Sequence, residues 1–411
     1  MRVALVITKL AGLRGGAERI VVDLARELAE RGHEVTLVTY EVAAAPPGYD
    51  PGDIAVVNLF PAPLRRAVER RSRDSSEVEA AVAGKANGRF AARVKWELVH
   101  GWYARRLARW LRRHPQNTVV GFLPSAISAT AFAGARLGTD RPRVIASTHN
   151  VPDEDFGPDG RWDPNPVARR NNLRALEMAD AVTVLQPEFI EQLPTGARSN
   201  AVVMPNPVRR LAPVIPGVER RNMILGVGRL TTVKRFDVLV RAFAELAEEF
   251  PDWCVEIYGD GPERGRLEQL VTELALHDRV RLAGITTELA PVYDAARMLV
   301  HPAVYEGFGL VVAEAILHGL DVVAFEDCPG ANGLVEDGAT GVLVEQPAEP
   351  AAAIVEGIRQ LITEPPDPGV RDEARRRLAH RLAPGPIYDA WERLMTDDSH
   401  GEGRVRSVEE E

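Results

Sequence analysis

Two glutamates eight positions apart, Glu306 and Glu314, stand in the run YEGFGLVVAEA. Gly307 and Gly309 bracket Phe308 directly beside the first acid and loosen the chain ahead of a helix predicted to start near Leu310. Backbone amides at a helix start suit anionic or hydroxyl ligands. The spacing sets Glu314 about one turn into that helix, so both carboxylates can face one ligand and accept hydrogen bonds from sugar hydroxyls. Alternatively, Glu306 answers the helix dipole and Glu314 serves a cap. Neither role accounts for two glycines around an aromatic beside the acid.

Further residues have the types and places for anion chemistry. Arg229 follows Gly228, and Lys234 stands five positions on, just after a predicted strand. Two cations there can flank a diphosphate, Arg with a planar fork of donors and Lys as a compact charge; a solvated basic loop is the plainer alternative. Gly15 and Gly16 lie between the first strand and first helix, where glycine lets backbone approach a phosphate closely, or serves a tight turn needing positive φ. His149, in Ser147-Thr148-His149-Asn150 after another strand, is open to a ligand or a structural role. Asp153-Glu154-Asp155 has the Asp-x-Asp spacing of a metal-diphosphate motif but falls in the long stretch Pro152–Pro166, read as a loop. Cys254 and Cys328 are too few for a disulfide framework or a zinc site.

The elements that must position these residues alternate between strand-length apolar runs and helix-length amphipathic ones. Val3–Thr8, Glu18–Arg31 and Glu34–Tyr40 form a βαβ unit with near-continuous apolar strands, the pattern of a parallel sheet covered on both faces. Thr118–Phe122, Arg143–Ser147, Ala181–Leu185 and Val202–Met204 are further strands. The alternation restarts after the Pro-rich Met204–Gly217, whose prolines suit a connector. Strands follow at Met223–Val227, Cys254–Tyr258, Val280–Ala283, Met298–His301 and Val322–Phe325. Helices between them are expected at Asp237–Glu249, Arg264–Ala275, Leu289–Ala296 and Leu310–His318. Two α/β domains result, with ligands expected at the carboxyl ends of the strands.

The 411 residues, 45% hydrophobic and 27% charged, exceed one compact core and suit a water-soluble protein of two domains. No apolar run approaches the ~20 residues of a membrane span, and the first apolar run reads as a buried strand, so the chain is expected to be cytoplasmic. Net charge is −9, yet residues 64–114 hold 14 Lys/Arg against 5 Asp/Glu. That asymmetry points to an anionic partner for one face and away from nucleic acid. Residues 89–113 interleave arginines with Trp96, Trp102, Tyr103 and Trp110, as in a membrane-surface helix or in core helices with basic outer faces.

The chain resembles the family 4 retaining glycosyltransferases along nearly its whole length. GGAERIVVDLARELAERGHEVTLVT matches the family's opening, MPNPV its connector, and GVGRLTTVKRFDVLVRAF its phosphate-binding segment. Glu306-x7-Glu314, VEDGATGVLV and IYDAWERL match its later landmarks. The resemblance implies a GT-B fold of two facing Rossmann-like domains with a cleft between them. It implies an acceptor-side domain over 1–207, a donor domain over 208–385, a helix over 386–396 returning to the first domain, and an acidic disordered tail over 397–411. It further implies that Arg229 and Lys234 bind a donor diphosphate, Glu314 the ribose, and Glu306 the transferred sugar with the amides of Phe308, Gly309 and Leu310. Gly15 and Gly16 would meet the phosphate, and His149 the sugar. No metal or other cofactor is implied. The donor is expected to be a UDP-hexose or UDP-N-acetylhexosamine, with GDP-mannose second. The acceptor is a glycan or lipid-linked hydroxyl, reached by peripheral attachment at the inner face of the membrane through residues 89–113. The chain departs from the family at His318-Gly319-Leu320-Asp321, where a small residue, Gly and then Pro are usual, and at Gly333, where a glutamate is common.

Overall fold

A computed structural model describes residues 1–12, 15–42, 45–61, 96, 100–157, 165–208 and 219–396. The chain divides into two compact units, residues 1–205 with the segment from 385 onward, and residues 206–384. Most of the Pro-rich connector, most of the Trp- and Arg-rich stretch before residue 100, part of the Asp-, Gly- and Pro-rich segment and the acidic tail lie outside the described residues.

The first unit is built on seven strands: β1 (Arg2–Ile7), β2 (Glu34–Thr39), β3 (Ala55–Asn58), β4 (Thr118–Phe122), β5 (Arg143–Ser147), β6 (Ala181–Val184) and β7 (Ala201–Val203). All pair in parallel, in the order β3-β2-β1-β4-β5-β6-β7. Its helices are α1 (Gly16–Glu30), α2 (Trp102–Arg113), α3 (Leu123–Ala135), α4 (Pro152–Phe156), α5 (Pro166–Glu177) and the single turn α6 (Thr195–Arg198). β4 is buried at all five positions, as a central parallel strand must be. α1 turns Ile20, Val21, Leu24, Ala25 and Leu28 inward at helical spacing.

α2 buries Tyr103, Ala104, Leu107, Ala108 and Leu111 and carries no acidic residue. Its outer face presents Arg105, Arg109, Arg112 and Arg113. The tryptophans divide: Trp96 is buried, Trp110 half-buried and Trp102 exposed. The acidic triplet 153–155 is not in a loop as its composition suggested. Pro152 at the start of α4 presets helical φ, and Asp153, Glu154 and Asp155 fill the first turn, where acids answer the dipole. Asp155 is buried and accepts from Asn150 Nδ2 at 2.9 Å; burial pushes its carboxyl up to about 7.

The second unit holds β8 (Met223–Val227), β9 (Cys254–Tyr258), β10 (Val280–Gly284), β11 (Met298–His301), β12 (Asp321–Phe325) and β13 (Gly341–Val344). They are parallel, in the order β10-β9-β8-β11-β12-β13. The direction of strand addition therefore reverses between β8 and β11, and a crevice at such a switch point is where open α/β sheets receive ligands. The helices are α7 (Phe236–Leu246), α8 (Arg264–Glu273), α9 (Ala290–Ala295), α10 (Leu310–Leu317), α11 (Pro350–Thr363) and α12 (Pro368–Arg381).

The last helix, α13 (Pro384–Thr396), packs in the first unit. Ile387, Tyr388, Trp391 and Met395 share one core cluster with β1 and α1. Arg31 Nη1 donates to Asp389 (2.5 Å) and Glu392 (2.6 Å), and Thr118 Oγ1 donates to the Met395 carbonyl at 2.9 Å. No described helix is long and apolar enough to cross a membrane.

Candidate active site

The loops after β8 and β11 meet at the switch point of the second sheet. β8 leaves through Gly228, whose amide donates to the Tyr258 carbonyl at 2.9 Å. Gly259 lies against it: a Cβ there would sit 1.8 Å from the Gly228 carbonyl, at a φ of +146°, so only glycine fits. The chain then folds on itself, with Thr231 N–H on the Arg229 carbonyl (2.8 Å) and Lys234 N–H on that of Thr231 (3.0 Å). Arg229 is exposed, and its guanidinium makes no hydrogen bond or ion pair among the described residues. Arg235 takes a left-handed φ of 49° to start α7, a strained setting for a side-chain-bearing residue.

The second loop is tied to the first by the Val304 N–H on the Val233 carbonyl at 3.0 Å. Glu306 N–H donates to the Pro329 carbonyl at 2.9 Å. A Cβ on Gly330 would lie 2.1 Å from the Glu306 carbonyl at a φ of +90°, which fixes glycine beside the acid. Gly309, at φ +86°, caps α10 without a side chain. Val312 and Ala313 amides reach the Gly309 carbonyl, whereas those of Phe308, Gly309 and Leu310 find no acceptor among the described residues.

The structure brings Lys234 and Glu306 together: the Lys234 ammonium donates to Glu306 Oε2. His301, closing β11, places Nε2 3.5 Å from the same oxygen. Burial works to raise the Glu306 carboxyl, but Lys234, His301 and the Gly307 N–H outweigh it and hold the group below its ordinary range. Burial and the Lys234 charge push His301 down to about 4, so its imidazole is neutral.

Glu314 is not paired with Glu306. Its carboxylate is 1% exposed and accepts from the Tyr293 hydroxyl of α9 at 3.2 Å. The two carboxylates thus have different protein partners, although one loop and one helix turn carry them both.

The first unit supplies the remaining candidates. Gly16 opens α1, and Gly15 is its N-cap at φ −91°, so the positive-φ explanation for that pair does not hold. A Cβ on Gly15 would meet the Glu18 carboxylate at 2.3 Å. His149 follows β5, with its ring 5.2 Å from that of Phe122. Its Nε2 meets Ser147 Oγ at 3.1 Å, and Thr183 Oγ1 donates to Ser147 Oγ at 2.8 Å. Burial pushes the His149 imidazole down to about 4, so neutral His149 is a hydrogen-bonding group and not a cation.

His301, Tyr293, Gly259 and Gly330 were not legible as site residues. Their sequence signals, a histidine ending an apolar strand, a tyrosine in a short helix and glycines in turns, are those of ordinary structure. The departure at His318–Asp321 has a structural filling. His318 Nδ1 and Asp294 Oδ1 lie 2.9 Å apart, both buried. Gly319 adopts φ +91°, and Asp321 faces Arg371 at 2.9 Å.

Residues 210–381 match the family model described as Glycosyl transferases group 1, and residues 14–210 match that of Glycosyltransferase Family 4. An alpha-D-kanosaminyltransferase of Streptomyces kanamyceticus is 34% identical over 172 residues, covering 41% of this chain and 42% of that protein. An uncharacterized glycosyltransferase of Haemophilus influenzae is also 34% identical over 172 residues, with 42% of this chain and 48% of the other covered. The chain thus spans less than half the length of these two relatives. A GDP-mannose-dependent phosphatidylinositol monomannoside mannosyltransferase of Mycolicibacterium smegmatis is 28% identical over 284 residues, or 64% of this chain and 71% of that one. Among solved structures, Anabaena HepE with UDP and glucose superposes with a TM-score of 0.71 at 18% identity, over 97% of this chain and 100% of the other. At that identity the likeness concerns the fold.

Proposed function

This chain belongs to the glycosyltransferases of family 4, group 1 type, with a GT-B fold of two parallel-sheet α/β domains, and from that premise we propose that it is a retaining, metal-independent transferase. It moves a sugar from a nucleoside-diphosphate donor to a hydroxyl. The observation that carries the reading is the Lys234–Glu306 pair at the switch point of the second sheet, with exposed Arg229 on the same loop as Lys234.

A donor diphosphate is drawn to Arg229 and Lys234, which supply fixed positive charge where negative charge grows on the leaving phosphate. Glu306, kept ionised, accepts from hydroxyls of the transferred sugar, and the open amides of Phe308, Gly309 and Leu310 donate to the same ligand. Glu314, steadied by Tyr293, takes the ribose hydroxyls. The bond from the anomeric carbon to phosphate oxygen breaks as the acceptor oxygen bonds that carbon on the same face. The acceptor proton passes to the departing phosphate, so no protein nucleophile is required.

The donor favoured is a UDP-hexose or UDP-N-acetylhexosamine. HepE binds UDP and glucose, while the mycobacterial relative uses GDP-mannose, which keeps that donor as the second reading. The acceptor is a glycan or lipid-linked hydroxyl at the inner face of the membrane, where the arginine face of α2 and exposed Trp102 meet anionic headgroups. Co-sedimentation with phosphatidylglycerol vesicles and not with phosphatidylcholine vesicles is expected; equal sedimentation with both removes that contact. The chemistry is tested by slow hydrolysis of UDP-glucose, UDP-N-acetylglucosamine and GDP-mannose, followed by proton NMR. The first sugar released is expected as the α-anomer; initial release of the β-anomer contradicts retention.

A further inference from the structure

We propose that His301 is a positioning residue that holds Glu306 in place when a donor diphosphate draws Lys234 away. The inference rests on the donor reading of this site and adds a residue to it.

Two protein groups converge on one carboxylate oxygen. The Lys234 ammonium is bonded to Glu306 Oε2, and His301 Nε2 stands 3.5 Å from the same atom. Their freedom of movement differs. Lys234 rides on a loop, with a four-carbon stem that can swing its ammonium toward phosphate. His301 ends β11, is 2% exposed, and has its backbone fixed in register against Ala324 of β12. Its Nε2 has no hydrogen-bond partner among the described residues, although it is sealed from solvent. A buried imidazole N–H without an acceptor is costly, and so is a largely buried carboxylate that loses its cation.

Both costs fall if the ring bonds Glu306 Oε2 when Lys234 turns to the diphosphate. The distance to close is small, from 3.5 Å to an ordinary ~2.9 Å hydrogen bond. The neutral ring brings a donor without a second positive charge, so the Glu306 carboxylate stays an acceptor for sugar hydroxyls at Oε1. A carboxylate facing Nε2 also fixes the tautomer with the proton on that nitrogen.

The test uses the full chain and UDP as probe. His301→Leu puts an apolar side chain of similar bulk in its place and removes the donor; His301→Gln returns an N–H near the Nε2 position. His301→Leu is expected to lower hydrolysis of the preferred nucleotide sugar by roughly 10- to 100-fold, the scale of a misplaced reacting geometry. UDP affinity by calorimetry should stay within about threefold, because Lys234 and Arg229 are intact. His301→Gln should restore most of the loss. Wild-type turnover in His301→Leu, or His301→Gln as impaired as His301→Leu, overturns the proposal.

A measurement on the unaltered chain covers the case in which His301→Leu fails to fold. The imidazole ¹⁵N spectrum should show His301 as the Nε2–H tautomer, with that signal shifting on saturation with UDP. An Nδ1–H tautomer, or a signal indifferent to saturating UDP, also overturns it. If the wild-type chain bound no nucleoside diphosphate, the donor reading would fall instead, and the tautomer without ligand would still report on His301.

Discussion

Lys234→Ala is expected to lower turnover of the donor by about 10²–10³, the loss that follows removal of one group aimed at developing negative charge. The variant should also bind nucleoside diphosphate about tenfold more weakly, one lost charge-assisted contact being worth roughly 1.5 kcal/mol or more. A second effect arises from the resting structure. Lys234 is the cation that opposes the burial of Glu306. Without it the carboxylate keeps only His301 and the Gly307 N–H, and its carboxyl rises from its depressed position. The Glu306 side chain is one quarter exposed, so solvent limits the stability cost to about 1–2 kcal/mol, well below the loss for a fully buried pair. Lys234→Arg should recover charge but not placement, because its planar fork differs in reach from a single ammonium. Kinetics and calorimetry on the same preparations separate the two effects. Wild-type turnover in Lys234→Ala would show that this cation does not serve the leaving phosphate.

Glu306→Gln tests the other half of the pair and carries the opposite sign for binding. The amide keeps the shape of the side chain but loses the charge that accepts strongly from sugar hydroxyls, and turnover should fall about 100-fold or more. Binding of UDP should hold or tighten, since the Lys234 ammonium no longer has Glu306 as a competitor. Collapse of UDP binding would place Glu306 on the diphosphate and not on the sugar. The pH dependence follows from the same contacts. Glu306 is held below the ordinary carboxylate range, so its contribution to folding is present above the unfolded value and lost as pH falls through the folded one. In Glu306→Gln that acid-side loss should be absent.

Much of this fold is legible in the sequence because parallel strands are near-continuous apolar runs. Thr118–Phe122, Arg143–Ser147, Met223–Val227, Cys254–Tyr258 and Met298–His301 have the same limits by pattern and by hydrogen bonding. What the pattern hides has physical causes. β3 (Ala55–Asn58) is an edge strand with two exposed and two half-buried positions, so it lacks a buried run. β13 is four residues behind the turn at Asp337-Gly338. α3 (LPSAISATAFAGA) buries nine of its 13 residues, and a helix apolar on nearly every side has no stripe to detect. The composition of the acidic triplet 153–155 suggests a loop, whereas Pro152 and the helix dipole make it a first turn.

The candidate site stands out in the sequence where unusual residues concentrate in a short span, as in Arg229 to Lys234 and Glu306 to Glu314. Their partners do not. His301 reads as the end of a core strand, and only the course of the loop after β11, held at Val304 and Glu306 by backbone hydrogen bonds, sets its Nε2 next to the Glu306 carboxylate. Tyr293 reads as helix filler until α9 packs it against Glu314. The eight-residue spacing suggests one ligand for the two glutamates, and it does not show that each carboxylate has its own protein partner, Lys234 for Glu306 and Tyr293 for Glu314.

The proposed chemistry depends first on binding of a nucleotide donor's diphosphate to Arg229 and Lys234 in the second unit. Thermal unfolding of the chain with UDP, GDP, UDP-glucose, UDP-N-acetylglucosamine and GDP-mannose tests it most directly, because a ligand that binds only the folded state raises the midpoint with its concentration. At a concentration ~100-fold above its dissociation constant, the preferred nucleotide should add about 2.7 kcal/mol, and the double replacement Arg229→Ala with Lys234→Ala should abolish the shift. No shift with any of the five, or an equal shift in the double variant, would contradict the account.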